Sequence, residues 1–404
     1  VGGQRKRRTG HDGKKMGVPG EQNSGNAAGE PSKPKTQQAK IPAESLEHKP
    51  APRLLSLDTF RGLNILLMLL VNNIALGEFT PATLVHAPWN EGVTMADWVF
   101  PWFLLMVGLS IPFSVRPEDA NPWPRVLRRG AMIFFWGLVL QSAMEKRPAF
   151  TLGVLQLIGL AYIGGFAIYR LPDRKRWYWI GGLLLGYGCF ALFYPYPGGP
   201  GFEEKLNVFR WVNETYLKEP FRLAGLLSVI PTAPLVALGA LAGQQFVRTR
   251  QLGLAPTTPV PWLLRVGAIW WILGVVVNLV LPYNKPVWTP SYILLTGALG
   301  LFAIAILTMI IEVLDHREWT WPFVVLGTNA LLAYVGPILI KFLLFKAWTL
   351  PWGEERKEMH VAALDFLKLH GGPVFGGAAY TGIYIGLTWL ALAYCYRRRW
   401  FLRA

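Results

Sequence analysis

Ten apolar runs, separated by short polar or basic segments, fill the chain from residue 54 onward: Leu54–Leu76, Met95–Val115, Gly130–Ala143, Thr151–Tyr169, Trp177–Tyr194, Leu223–Val247, Trp262–Leu281, Tyr292–Leu314, Pro322–Phe345 and Phe375–Tyr394. Most approach the roughly 20 residues that a helix needs to cross hydrocarbon. Gly130–Ala143 is short, and reads as reaching back toward Leu127 or lying tilted. Pro101, Pro112, Pro231, Pro234 and Pro337 fall inside runs, where a membrane helix tolerates them at the cost of a kink. The pattern predicts an all-α fold, a polytopic transmembrane helical bundle of about ten helices spanning 51–404. Residues 1–50 are polar, rich in Gly, Lys, Gln and Pro and without apolar periodicity, and predict a disordered basic tail.

Composition sharpens this picture. Of 404 residues, 52% are hydrophobic and only 16% charged, well below an ordinary soluble domain. Trp98 and Trp102, Trp177 and Trp179, and Trp319 and Trp321 sit at run ends, as in an interfacial aromatic belt. The formal net charge of +16 invites a nucleic-acid reading, but position argues against it. Beyond the tail, Arg116, Arg125, Arg128 and Arg129, then Arg170, Arg174, Lys175 and Arg176, then Arg248 and Arg250, then Arg317, occupy alternate connections; Arg397, Arg398 and Arg399 end the chain. An even number of spans puts all of these on one side, which the positive-inside rule makes cytoplasmic together with both termini. The opposite side then receives 77–94, 195–221, 282–291 and 346–373. Cys189 and Cys395 lie far apart in apolar runs, so neither a disulfide framework nor a thiolate metal site is expected.

Four polar segments interrupt this apolar background. In the first, Asp58 and Arg61 stand three apart on one helix face near Arg53. They read either as an interfacial anchor or as a mouth that binds donor phosphates. Asn72 and Asn73 follow near the outer end of the same run, where amides also serve as helix–helix glue. In the second, His86, Trp89, Asn90, Glu91, Thr94 and Asp97 crowd the start of the second run. Asp97 can set the tautomer and basicity of His86, or simply favour a helix N-terminus. In the third, Asn284, Lys285 and Trp288 can wall a sugar, an indole covering the pyranose face while amides bond its hydroxyls, or can anchor the interface. In the fourth, Asn329 and Tyr334 lie within a run as packing glue or cavity lining. No P-loop, HExxH or GxSxG pattern is present.

These segments also carry a likeness. Arg53-Leu-Leu-Ser-Leu-Asp-Thr-Phe-Arg-Gly, Val71-Asn72, His86-Ala-Pro-Trp-Asn and Thr94-Met-Ala-Asp-Trp-Val-Phe-Pro-Trp-Phe resemble the heparan-alpha-glucosaminide N-acetyltransferase family. So do Gly153-Val-Leu-Gln-Leu-Ile-Gly, Gly225-Leu-Leu-Ser-Val-Ile-Pro-Thr, Asn284-Lys-Pro-Val-Trp-Thr-Pro-Ser-Tyr and Leu326-Gly-Thr-Asn-Ala. The resemblance extends over nearly the whole chain from Arg53 onward. It implies an acyltransferase that takes the acetyl group of cytoplasmic acetyl-CoA and passes it to the amine of an amino sugar or glycan end across the bilayer. His86 and Asn72 match the family's functional pair. Asp97 then orients His86, Arg61, Asp58 and Arg53 hold the donor, and Trp89, Asn90, Asn284, Lys285, Trp288 and Asn329 contact the acceptor. A homodimer and no metal are further implications.

Two departures from the family pattern stand out: one extra residue between Trp89 and Thr94, and a short basic tail where the animal lysosomal enzyme has a large luminal domain. They lead to the expectation of a compact bacterial member in the cytoplasmic membrane, with an acceptor other than heparan sulfate open to it. The competing class is a secondary transporter or permease for a small sugar-like solute, in which intramembrane ionisable groups would relay protons. Against it, the two halves show no convincing internal repeat.

Overall fold

The computed structural model describes residues 54–115, 121–198, 202–217 and 225–402. The expected tail and Arg53 lie outside these residues. All ten apolar runs are helical. The α-helices of eight residues or more are α1 (Leu55–Asn73), α2 (Met95–Leu109), α3 (Trp123–Glu145), α4 (Val154–Tyr169), α5 (Asp173–Phe193), α6 (Val229–Gln251), α7 (Val260–Asn278), α8 (Pro290–Thr308), α9 (Trp321–Thr328), α10 (Ala330–Ile340) and α11 (Met359–Arg397).

Among the described residues, six helical segments are long and apolar enough to cross a membrane, or seven if the pair around Asn329, bent by 65°, counts as one span. The count is therefore lower than ten by this measure, for compositional reasons. Arg125, Arg128 and Arg129 lie in α3, Arg176 with several Trp, Tyr and Gly dilutes α5, and α4 is a shorter apolar helix. The segment 346–373, expected as a loop, instead holds a hairpin of β1 (Thr349–Trp352) and β2 (Glu355–Glu358) and the first turns of α11. Gly372 breaks α11 with φ 79°, a left-handed value that its missing Cβ permits, directly before Pro373.

The core forms around α6, whose spanning window is 78% buried, against 22% for α11. α2 and α4 pack along α6, α9 packs along α1, and α7 pairs with α8. Small residues set these distances. A Cβ on Gly108 would strike the carbonyl of Val236, and one on Gly239 the carbonyl of Leu105, so α2 and α6 meet backbone to backbone. Gly62 and Gly327 do the same for α1 and α9. Asn64, buried in α1, donates from Nδ2 to the Val99 carbonyl of α2 at 3.1 Å. The middle of α1 is thereby tied to the start of α2, where the second polar segment lies.

Candidate active site

Asp97 is the organising residue. It stands at the third position of α2, where a carboxylate can cap the free N–H groups of the first turn. Its two oxygens divide the work. Oδ2 accepts the backbone N–H groups of Thr94 and Ala87, both at 3.1 Å, and so pins the incoming loop to the helix. Oδ1 faces the His86 Nδ1 at 2.9 Å and the Lys285 Nζ at 3.3 Å. The carboxylate side chain is only 3% exposed, whereas the His86 side chain is 53% exposed. A buried acceptor thus aims an accessible imidazole. A carboxylate cannot donate, so in this bond the imidazole donates from Nδ1, and in the neutral ring Nε2 is then the acceptor.

Lys285 arrives from the loop between α7 and α8, 199 residues from His86 in sequence, with Nζ 3.0 Å from Nδ1 and 3.3 Å from Nε2 of the imidazole. Burial pushes the Lys285 pKa below the ordinary lysine value, and the charge and hydrogen bond of Asp97 only partly restore it. The loop is stiff. Asn284 donates its N–H to Thr289 Oγ1 at 2.9 Å and accepts the Val287 N–H at 3.2 Å. The Tyr292 hydroxyl donates to the main-chain carbonyl of Asp97 at 2.6 Å. The Lys285 loop and the start of α2 are therefore one braced unit.

Trp89 and Asn90 form the neighbouring wall. The Trp89 indole N–H and the Asn90 amide both donate to the Phe202 carbonyl, at 3.0 and 3.1 Å. Asn90, at φ 63°, also accepts the Asn284 amide at 2.9 Å. The structure thus brings His86, Asp97, Lys285, Trp89, Asn90 and Asn284 together.

Other expected site residues are placed differently. Trp288 is fully buried, edge-on to Phe100 with ring centroids 4.8 Å apart. It presents no face to a sugar and acts as a strut beneath the loop, so the expectation of a Trp288 wall is corrected. Asn329 lies in the break between α9 and α10, where its amide donates to the Trp400 carbonyl at 2.9 Å and its oxygen accepts the Leu402 N–H at 3.1 Å. It braces the chain end rather than lining an acceptor site, because both ends of its amide are taken up by backbone groups of Trp400 and Leu402. Asn72 is exposed at the end of α1, at the His86 end of the bundle, with no side-chain hydrogen bond among the described residues.

At the opposite end, Arg61 pairs with Asp58 at 2.9 Å and reaches the Gly327 carbonyl at 3.4 Å. Arg61 and Arg129 line a cavity of about 420 Å³ that also includes Phe103, Met106 and Tyr334. Tyr334, Val154 and Leu155 are shared with a second cavity of about 380 Å³. Arg129, read from sequence only as a topology signal, is a cavity residue with its guanidinium 5.2 Å from the Tyr162 ring centroid.

Lys285→Met is expected to lower turnover about 10–100-fold, the range for losing a group that supports acid–base chemistry. It should also remove an alkaline limb of the rate profile that, because burial lowers the lysine, begins below the ordinary lysine range. Lys285→Arg should restore the rate and carry that limb upward. A pH–rate series on the three proteins tests this.

A membrane-type helical bundle with a buried carboxylate shared by an accessible imidazole and a lysine, and a basic-mouthed cavity behind it, is the architecture defined so far. The chain belongs to the heparan-alpha-glucosaminide N-acetyltransferase (catalytic) family, whose model matches residues 53–269. It is 26% identical over 382 residues to the Mus musculus heparan-alpha-glucosaminide N-acetyltransferase, covering 76% of this chain and 57% of that protein. Against the Homo sapiens protein of the same name it is 26% identical over 393 residues, covering 76% and 56%. The chain thus spans little more than half the length of these curated relatives.

Proposed function

We propose that the chain is a transmembrane acetyltransferase that moves the acetyl group of acetyl-CoA to the amine of an amino sugar on the other side of the bilayer. The observation that carries this reading is the His86–Asp97–Lys285 cluster, a half-exposed imidazole held by a buried carboxylate at the bundle end opposite the Arg61 and Arg129 cavity. The donor phosphates bind on the Arg61 side, beside Asp58, with Arg53, from the same sequence segment, as a further basic group. The thin pantetheine arm follows the apolar cavity past Tyr334. Asn72 lies eleven residues beyond Arg61, ~16 Å along a helix, which an extended arm can span. Phe103, in the cavity wall, is six residues from Asp97, ~9 Å along α2.

The acceptor ammonium gives a proton to His86 Nε2, and Asp97 stabilises the imidazolium through Nδ1. The free amine attacks the thioester carbonyl, and the Asn72 amide donates to the developing oxyanion. The carbon–sulfur bond breaks, the departing sulfur takes the proton back from His86, and the freed imidazole then takes the excess proton from the acylated nitrogen and passes it to water, leaving a neutral amide and the thiol of CoA. Trp89, Asn90 and Asn284 hold the sugar. The 1–50 tail and both termini are cytoplasmic, the setting is a bacterial inner membrane, and the working unit is a homodimer.

Purified protein given labelled acetyl-CoA and a panel of amino sugars should yield N-acetylated product. Uptake of an amino sugar into vesicles with no acetyl-CoA requirement would instead favour a transporter. Arg61→Glu should raise the apparent KM for acetyl-CoA about tenfold or more and leave that of the acceptor unchanged. Trp89→Ala should do the reverse. A variant of either kind that moves both constants equally removes the separation of the two sites.

Sidedness has its own test, in a background lacking Cys189 and Cys395. A membrane-impermeant thiol reagent should label a cysteine at Glu78 in intact cells and spare one at Lys175. The opposite pattern inverts the orientation.

A further inference from the structure

A second basic site lies away from the donor cavity, where α4, α5 and α6 end together. A cavity of about 470 Å³ is lined by Arg170, Arg176, Arg248, Gln244 and Gln251, with Tyr169 in its wall. A neighbouring cavity of about 250 Å³ shares Arg176, Gln244 and Arg248 and continues along Trp177, Leu241 and Trp262. Neither shares a lining residue with the Arg61 cavity.

The three arginines are not equivalent. Arg176 is already engaged. Its Nε donates to the Leu171 carbonyl at 2.6 Å, Nη1 to Gln244 at 3.1 Å and to Asp173 at 2.9 Å, and the guanidinium lies 4.9 Å from the Tyr169 ring centroid. It is the scaffold that joins α5 to α6. The Arg170 and Arg248 side chains make no hydrogen bond or ion pair among the described residues, yet both line the same cavity. With Asp173 balancing Arg176, these two guanidiniums carry two positive charges that meet no counter-charge among the described residues. Their planar forks match the oxygens of a phosphate. The second cavity adds the Trp177 and Trp262 indoles and Leu241 to a polar lining that also includes Gln245 and Asp173, the carboxylate paired with Arg176. Trp177 is 39% exposed and Trp179 54%, as expected of side chains at a lipid interface.

We propose that this groove is a phosphate-binding site for an anionic phospholipid headgroup, gripped by Arg170 and Arg248, with the lipid leaving along Trp177 and Trp262. The shared chemistry is a phosphate, and a free phosphate group could reach the same two arginines. The source is decided by experiment.

The full-length protein, delipidated in detergent, is titrated with phosphatidylglycerol, with phosphatidylcholine, with inorganic phosphate and with adenosine 3′,5′-bisphosphate, and binding is read by native mass spectrometry and by the unfolding midpoint. Arg170→Gln/Arg248→Gln is compared with Arg174→Gln/Lys175→Gln, which removes two equally basic residues outside the groove. Arg176 is left in place because its loss would separate the helices.

Phosphatidylglycerol should bind wild type and the control alike, and bind the groove variant about 30-fold more weakly, ~2 kcal/mol for two basic groups at an anionic surface. Phosphatidylcholine should bind all three weakly. If inorganic phosphate or the bisphosphate displaces the lipid from wild type but not from the groove variant, the site stands and its ligand is a free phosphate group. Equal phosphatidylglycerol binding by the groove variant and wild type, or an equal loss in the control, overturns the proposal. Because the site shares no residue with the proposed donor and acceptor sites, the outcome does not depend on transferase activity.

Discussion

Asp97→Asn should lower acetyl transfer by about three orders of magnitude, the scale of losing the orienting carboxylate in an acid–base pair. Both carboxylate oxygens face donors: Oδ2 meets two backbone N–H groups, and Oδ1 meets His86 and Lys285. An asparagine has one oxygen and one NH₂ to offer. In one orientation its NH₂ confronts the Thr94 and Ala87 N–H groups, and in the other it confronts the imidazole and the ammonium. A stability loss of about 2 kcal/mol should therefore accompany the loss of rate, given what hydrogen bonds to a buried charge contribute. His86→Ala should abolish transfer to a similar degree with almost no change in stability, because the imidazole is half-exposed. Rates from labelled acetyl-CoA and unfolding midpoints in the same detergent separate the two variants. Near-wild-type turnover from either would remove the assignment of this cluster as the acid–base machinery.

The largest structural effect is expected at Gly239. A Cβ there would enter the space of the Leu105 carbonyl, and Gly108, on the facing helix, is closed in the same way by Val236. Neither neighbour is the end of a flexible side chain, so Gly239→Val must push α2 off α6. The cost is put at about 3 kcal/mol or more, at the upper end of overpacking. Because α2 carries Asp97 and α6 is the most buried of the spans, the displacement should be felt as lost folding rather than altered kinetics. Size-exclusion profiles of detergent extracts should show aggregated or absent Gly239→Val protein. Gly182→Ala, in α5 where nothing lies within 4 Å of the added Cβ, should elute as wild type.

The helical state of the apolar runs was legible in the sequence, because a segment in hydrocarbon must satisfy its own backbone; the number long and apolar enough to cross, six or seven among the described residues, was not. The Asp58–Arg61 pair and the Asp97 position at the start of α2 were legible for the same local reason: residues three or four apart on a helix, or beside its first free N–H groups, meet whatever the rest of the chain does. The segment that supplies His86 was also visible as a polar island, and the family likeness matched it to a functional role.

Partnerships between distant segments were not legible. Lys285 was visible as a polar residue near Trp288, with no local sign that it would close on Asp97 and His86. Trp288 looked like a sugar platform because an indole beside Asn and Lys fits that role, yet φ 55° turns it inward under Phe100. Asn329 read equally as packing glue or cavity lining, and only the chain end, which satisfies both ends of its amide, favours the first. Arg129 and the Arg170–Arg176–Arg248 groove read from sequence only as positive-inside charge. Hydrophobic length and local capping are determined residue by residue along the chain. The direction in which a loop side chain points, and the charge it meets there, is decided by which glycine-lined helix faces pack together, and only the tertiary structure contains that information.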